Sequence, residues 1–207
     1  MIIAVDGPTA SGKGTIARAL AAHFGLPHLD TGLLYRAVGQ QVARHGGDPD
    51  VAADALAATA FDDALLADPA LRSETVGALA SRVSVHPAVR DALLQRQRDF
   101  AAQPGGAVLD GRDIATVIVP NADAKLFVTA SLAARSLRRY LEMKARGEDV
   151  GRAAIEADLA ARDARDTERA VAPLARADGA ALLDTSSLPI AAAIASAIAL
   201  IEKQTRS

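Results

Sequence analysis

The sequence predicts an α/β fold, a parallel sheet covered by helices on both faces, and three observations carry that expectation. Short apolar runs that read as buried strands alternate with longer stretches of helical spacing. The first run leads directly into a glycine-rich turn, and that turn leads directly into a helix. Alanine makes up 49 of the 207 residues, which favours helices with small side chains that approach closely. Half of the residues are apolar, enough to bury one sizeable core in a single domain with insertions.

Ile2, Ile3, Ala4 and Val5 form the first strand, which ends at Asp6. After the turn, Ile16, Ala17, Ala19 and Leu20 recur at helical spacing as far as Gly25, a residue suited to the left-handed position after a helix. Leu26 to Leu29 is a short extended piece, and Asp30 and Thr31 offer a cap for a second helix running toward Gly46 and Gly47. From Asp48 to Ser73 the signals weaken. Asp48-Pro49 and Asp68-Pro69 break short helical pieces and no alternating strand pair appears, so about 46–90 reads as a mobile, mostly helical and loosely attached insert. Pro87 suits the first turn of a helix reaching Phe100, and Pro104-Gly105-Gly106 ends it. Ala107 to Leu109 and Ala124 to Thr129 read as further strands, Ala180 to Leu183 as the last. Two arginine-rich helices, roughly 132–146 and 152–169, flank Gly147, and a closing helix from Pro189 puts Ile190, Ile194, Ile198 and Ile201 on one face.

Composition excludes several functions. Lys and Arg number 23 against 25 Asp and Glu, a net charge of −2, so no long-range field draws in nucleic acid. The absence of cysteine rules out disulfides, thiolate metal sites and a cysteine nucleophile. With four Phe, two Tyr and no Trp, aromatic stacking cannot dominate ligand recognition. The apolar stretch Pro189 to Ile201 falls short of the roughly 20 residues that span a membrane. The start, MIIAVDG, carries neither a basic region nor a small-residue cleavage site, so a cytoplasmic protein is expected. His23, His28, His45 and His86 lack helical pairing with carboxylates, and no protein-built metal site is expected.

The strongest signal is the run Gly7, Pro8, Thr9, Ala10, Ser11, Gly12, Lys13, Gly14 and Thr15, placed after a strand and before a helix. In a phosphate-binding P-loop the glycines let backbone N–H groups turn inward, the helix N-terminus adds positive potential, and the lysine reaches the β and γ phosphates as a point charge. Gly14 stands where the general pattern has Ser or Thr, and the hydroxyl comes one position later on Thr15. Mg²⁺ is therefore expected mainly on phosphates and water. Asp6 reads either as a water-mediated partner of that ion or as a cap on the loop.

The GKGT ending is similar to that of the nucleoside monophosphate kinases. Three further segments, Leu29 to Arg36 (LDTGLLYR), Asp110 to Asp113 (DGRD) and Arg162 to Leu174 (RDARDTERAVAPL), together with Ser81 to Arg90 (SRVSVHPAVR), resemble the signatures of the bacterial cytidylate kinase family. The matches extend in order over nearly the whole chain. The resemblance implies a P-loop kinase fold with a five-stranded parallel sheet, an acceptor-binding insert over about 46–90 and a lid over about 140–160. It also implies transfer of the γ phosphate of ATP to CMP or dCMP; a monomer is expected.

By the same resemblance, Lys13, Arg112, Arg162 and Arg169 carry the transfer, and Gly7 to Thr15 hold the donor phosphates. Arg36 and Arg112 grip the acceptor phosphate, with Arg169 reaching it from the mobile side. Asp30, Thr31 and Tyr35 belong to the acceptor site, Ser81, Arg90 and Asp113 read the base, and Asp166 near Arg162 accepts the ribose hydroxyl. Phosphoryl transfer through a loose transition state needs positive charge and positioning more than a base, and arginine forks suit phosphate oxygens. On spacing alone, Arg162, Arg165 and Arg169 interleaved with Asp163, Asp166 and Glu168 also admit a surface salt-bridge ladder, and Ser81, without the resemblance, reads as a solvated helix residue. The rivals are another small-acceptor P-loop kinase and a nucleotide-driven switch. No Asn-Lys-x-Asp segment for guanine and no strand ending in an Asp-Glu pair supports the latter.

Overall fold

The structure, a computed structural model, describes residues 1–206. Among the described residues five strands, β1 (Ile2–Asp6), β2 (His28–Asp30), β3 (Ala107–Gly111), β4 (Ala124–Thr129) and β5 (Ala181–Asp184), form one sheet in the order β2-β3-β1-β4-β5. Every adjacent pair is parallel, so each strand must return through a crossover. Helices supply the crossovers: α1 (Lys13–Phe24), α2 (Gly32–Arg44), α3 (Ala52–Ala57), α4 (Glu74–Val83), α5 (Pro87–Ala101), α6 (Leu132–Ala145), α7 (Arg152–Glu168) and α8 (Ile190–Thr205).

The alternation of side chains along β1 builds two cores. Ile3 and Val5 point to the face covered by α1 and α8, where Ile16, Leu20, Leu126, Val128 and Ile201 are buried with them. Ala4 points to the opposite face, against Leu109, Ile114 and Ile118, with Leu94 and Phe100 of α5 packed alongside. The side of α8 that meets the sheet is Ala193, Ala197 and Ile201, whereas Ile190 is exposed and Ile194 and Ile198 are only partly buried. The expected isoleucine stripe is thus rotated, because alanines let the helix approach the sheet.

Between α2 and α5 the described residues hold only helices and 3-10 turns, at Asp63–Ala67 and Pro69–Arg72. The insert is mostly helical, as expected, but it is not loosely attached. Ala55, Phe61, Leu71, Val76 and Val83 converge on Leu34, Val38 and Val42 of α2 to form a third core, joined by Val89 and Leu93 of α5. The irregular spacing of these residues hides the contact from periodicity. Helices α6 and α7 share a much smaller core, Met143, Ile155 and Leu159, and their connection at Arg146 to Asp149 is exposed.

One element had no sequence signature. Ile114–Ile118 forms a π-helical turn, and the Asp6 carboxylate caps it by accepting from the Ile114 and Ala115 amides, both at 2.8 Å. Asp6 therefore caps this turn rather than the glycine-rich loop. Register brings Asp30 beside Asp110 and Val5 beside Asp110, so β1, β2 and β3 end together at one edge. The carboxyl ends of strands in an open parallel sheet are where ligands bind.

Candidate active site

The loop between β1 and α1 is held from below by β4. A Cβ on Gly7, whose φ is +154°, would fall 2.0 Å from the Val128 carbonyl oxygen, so only glycine fits. Pro8 accepts from the Ser11 amide at 3.4 Å, and Ser11 is buried with its carbonyl taking a hydrogen bond from Thr185 Oγ1 at 2.9 Å. Helix α1 starts at Lys13 without a side-chain cap, which leaves its first amides as donors toward whatever lies in front of the loop.

Two cavities open there, and Lys13 and Gly14 border both. The first, about 220 Å³, is walled by the strand ends, α2, α4 and α7. Asp30, Thr31, Tyr35, Arg36, Ser81, Arg90, Arg112, Asp113, Arg162, Asp166 and Arg169 all line it, so every residue expected at the acceptor site reaches one space. The second, about 440 Å³, lies behind the loop against Ala10, Ser11, Gly12 and Thr15. Of the expected donor-loop residues, Thr9 faces the first cavity instead, while Gly7 and Pro8 shape the loop without lining either.

Six cationic and four acidic side chains line the first cavity, a positive excess inside a chain that is negative overall. Arg36 donates to the carbonyls of Leu71 at 2.7 Å and Ser73 at 2.8 Å, which fixes it to the insert. Burial, then the nearby Arg162 charge, pull its pKa down to about 10, an environment that gains from an anion. Arg112 reaches Asp166 at 2.7 Å and Thr9 Oγ1 at 2.6 Å. Burial works against its charge, yet Asp166, together with Asp110 and Asp30 behind it, holds its pKa above the usual value. Arg90 pairs with Asp113 at 2.5 Å, and Arg169 lies 3.5 Å from the other Asp113 oxygen. Burial and the Arg90 charge lower the pKa of Arg169.

The surface-ladder alternative holds only in part. Arg162 does lie 2.8 Å from Asp158, one turn back on α7, but it is buried, also approaches Glu74 of α4, and borders the cavity. Asp166 is buried and turns to Arg112 of another segment rather than along its own helix. Ser81 is no solvated residue either, since its hydroxyl accepts from Arg165 Nε at 2.9 Å.

Lys13 sits 3.9 Å from Asp110, whose other oxygen is 2.7 Å from His28 Nε2. Burial, then the Arg112 charge, bring the Lys13 pKa down to about 8. Sequence reasoning missed Arg138, Arg139 and Thr185 on the second cavity, and Arg135, which donates to the Thr9 carbonyl at 3.1 Å and pairs with Asp163 at 2.6 Å. Their one signal was the arginine density of 132–146. Among the described residues no group of three His, Asp or Glu is placed to hold a metal ion, and no helix is long and apolar enough to cross a membrane.

Comparison with known proteins agrees with this geometry. Residues 3–203 match the family model for cytidylate kinase. A cytidylate kinase of Xanthobacter autotrophicus is 59% identical over 202 residues, covering 98% of this chain and 97% of that one. One from Methylocella silvestris is 55% identical over 208 residues, covering 98% and 94%. Among solved structures, an uncharacterized protein from Eubacterium ventriosum shares the fold alone, with a TM-score of 0.53 at 15% identity over 100% of this chain and 99% of that one. A family model spanning nearly the whole chain, and relatives more than half identical along nearly all of their length, make this chain a member of the cytidylate kinase family.

Proposed function

We propose that the chain transfers the γ phosphate of ATP to CMP and dCMP, releasing ADP and CDP or dCDP. The observation that carries this assignment is the position of Lys13 between a glycine-loop cavity and an arginine-lined cavity. The donor phosphates lie along Ala10 to Thr15 on the amides of α1, with Arg138 and Arg139 beside them. The acceptor phosphate lies among Arg36, Arg112, Arg162 and Arg169. A nucleotide phosphate with its second pKa near about 6 is mostly ionised at neutral pH, so the acceptor needs no base. Catalysis then consists of alignment and of positive charge at the oxygens that gain charge in the transition state.

Mg²⁺ when bound supplies charge that neutralises the β and γ oxygens. The donor set fits an ion carried by the nucleotide: Thr15 Oγ1 is an accessible oxygen whose partner is Arg18 at 3.3 Å, whereas both Asp6 oxygens are taken by amides and Asp110 by His28 and Lys13. Base selection falls to Arg90, Asp113 and Ser81. Cytosine presents an amine where uracil presents a carbonyl, so a carboxylate that accepts from the amine is left unpaired by UMP. Asp166 accepts the ribose hydroxyl while it orients Arg112. The insert at about 46–90 is packed onto α2 beforehand, and the segment at about 140–160 closes over the cavities to exclude water, which would otherwise divert the phosphate to hydrolysis. That both cavities are lined by residues of one chain supports a monomer, and the use of ATP and CMP supports a cytoplasmic location.

ADP release measured with each nucleoside monophosphate in turn tests this function. CMP and dCMP are expected to support turnover well above UMP and AMP. CMP giving no more ADP than buffer, while AMP does, would contradict it.

A further inference from the structure

We propose that Arg165, a residue outside the cavity wall, sets base selectivity by holding Ser81 in position. The proposal rests on the function inferred for the cavity and adds a positioning residue to it. Arg165 lies on α7 and its Nε donates across to Ser81 Oγ on α4 at 2.9 Å. Ser81 lines the first cavity and Arg165 does not.

The neighbouring charges make this contact informative. Asp163 and Asp166, on either side of Arg165, are taken by Arg135 and Arg112. Glu168, three residues on, stands exposed at a spacing where helix arginines gain from an ion pair, yet among the described residues it makes none with Arg165. Arg165 crosses instead toward another helix. Its charge acts on Asp50, a carboxylate already paired with Arg82, and its hydrogen bond goes to a neutral hydroxyl at the entropic cost of ordering two side chains. Such a contact is accounted for when the position of the hydroxyl matters.

A serine hydroxyl has three staggered positions, one proton and two lone pairs. A guanidinium can only donate, so it fills one lone pair, selects one rotamer and leaves the rest of the hydroxyl to face the base. Arg90 and Asp113 hold each other at 2.5 Å and need no such help. Ser81 has no carboxylate to fix it. Released, the hydroxyl turns aside and admits water, which satisfies a donor or an acceptor equally well. Cytosine and uracil differ by exchanging donor and acceptor on that edge, so the released site loses its preference.

Steady-state kinetics with CMP and UMP test the proposal. For Arg165→Met the ratio of kcat/KM for CMP over UMP is expected to fall about tenfold, while kcat at saturating CMP stays within about threefold of the parent. Arg165→Lys, whose amine also only donates and reaches as far as Nε, should restore most of the ratio. Ser81→Ala should lower it as much as Arg165→Met, and combining the two should add nothing. A ratio unchanged in Arg165→Met while Ser81→Ala lowers it overturns this proposal alone. A further loss on combining them overturns it too, since Arg165 would then act elsewhere. A ratio unchanged in Ser81→Ala removes the base-site assignment of Ser81 together with the proposal.

Discussion

Lys13 has been taken out of water and set between two cavities, with Asp110 at 3.9 Å as its nearest counter-charge. A charge with no closer protein partner than this among the described residues is available to phosphate. Lys13→Met is expected to lower turnover at least about 100-fold, the scale of one lost preorganised donor, with the unfolding midpoint preserved because a buried charge has been removed. Near-normal turnover would contradict the placement. The titration gives an independent check. Burial lowers the Lys13 pKa to about 8 in the free chain, and bound phosphates favour the charged form and raise it again. ATP binding should therefore take up a fraction of a proton just above pH 8, read as a calorimetric enthalpy that changes with the ionisation heat of the buffer. By the same linkage KM for ATP should rise as pH climbs past the free-chain value. Proton uptake that persists in Lys13→Met would assign it to another group.

Helix α4 is the element that joins the insert to the arginine-lined cavity, since its cavity face carries Gly77 and, one turn later, Ser81. Ser73 caps it by accepting from the Val76 amide at 3.3 Å, and its own carbonyl holds Arg36. Glycine in mid-helix costs about 1 kcal/mol relative to alanine, and the structure gives the reason for tolerating it. A Cβ at Gly77 would meet Arg36 Nη2 at 2.8 Å and Arg162 Nη1 at 3.2 Å, so the bare backbone leaves room for both guanidiniums. Gly77→Ala should leave the unfolding midpoint level or higher yet raise KM for CMP about tenfold, as the two forks are pushed from their common target. An unchanged KM would mean that these arginines do not meet the acceptor. The attachment of α4 to α2 through Leu71, Val76 and Val83 keeps this geometry in place before any ligand arrives. The α6 and α7 pair, with its smaller core, is expected to open at lower cost.

Across the whole molecule the sheet converts order in sequence into convergence at one edge, and Asp6 ties that edge to the turn at Ile114–Ile118. Burial, opposed by the two amide hydrogen bonds, raises the Asp6 pKa to about 6. A carboxyl protonated more readily in the folded state than in the unfolded one adds stability as pH falls through its folded value. Urea unfolding should show this contribution growing by about 1 kcal/mol from about pH 7 to pH 5, and Asp6→Asn should lack it. An identical pH slope in both would refute the shift. The strands and the Lys13 loop were legible because buried parallel strands are short apolar runs and the loop has a fixed context. The turn at Ile114 was not, since its cap comes from a residue at the far end of another strand. Nor were Arg138 and Arg139 legible as lining a cavity, because an arginine on a helix reads as a solvated face until the neighbouring element is known. By the proposed function, Lys13 and the arginine cavity pass a phosphoryl group between two nucleotides. Transfer of label from the γ position of ATP to CMP, in the parent chain and in Arg112→Met, tests it most directly. The expected result is label in CDP rather than in inorganic phosphate, and transfer slowed at least about 100-fold in the folded variant. Label found only in inorganic phosphate, or a variant that transfers at the parent rate, would contradict it.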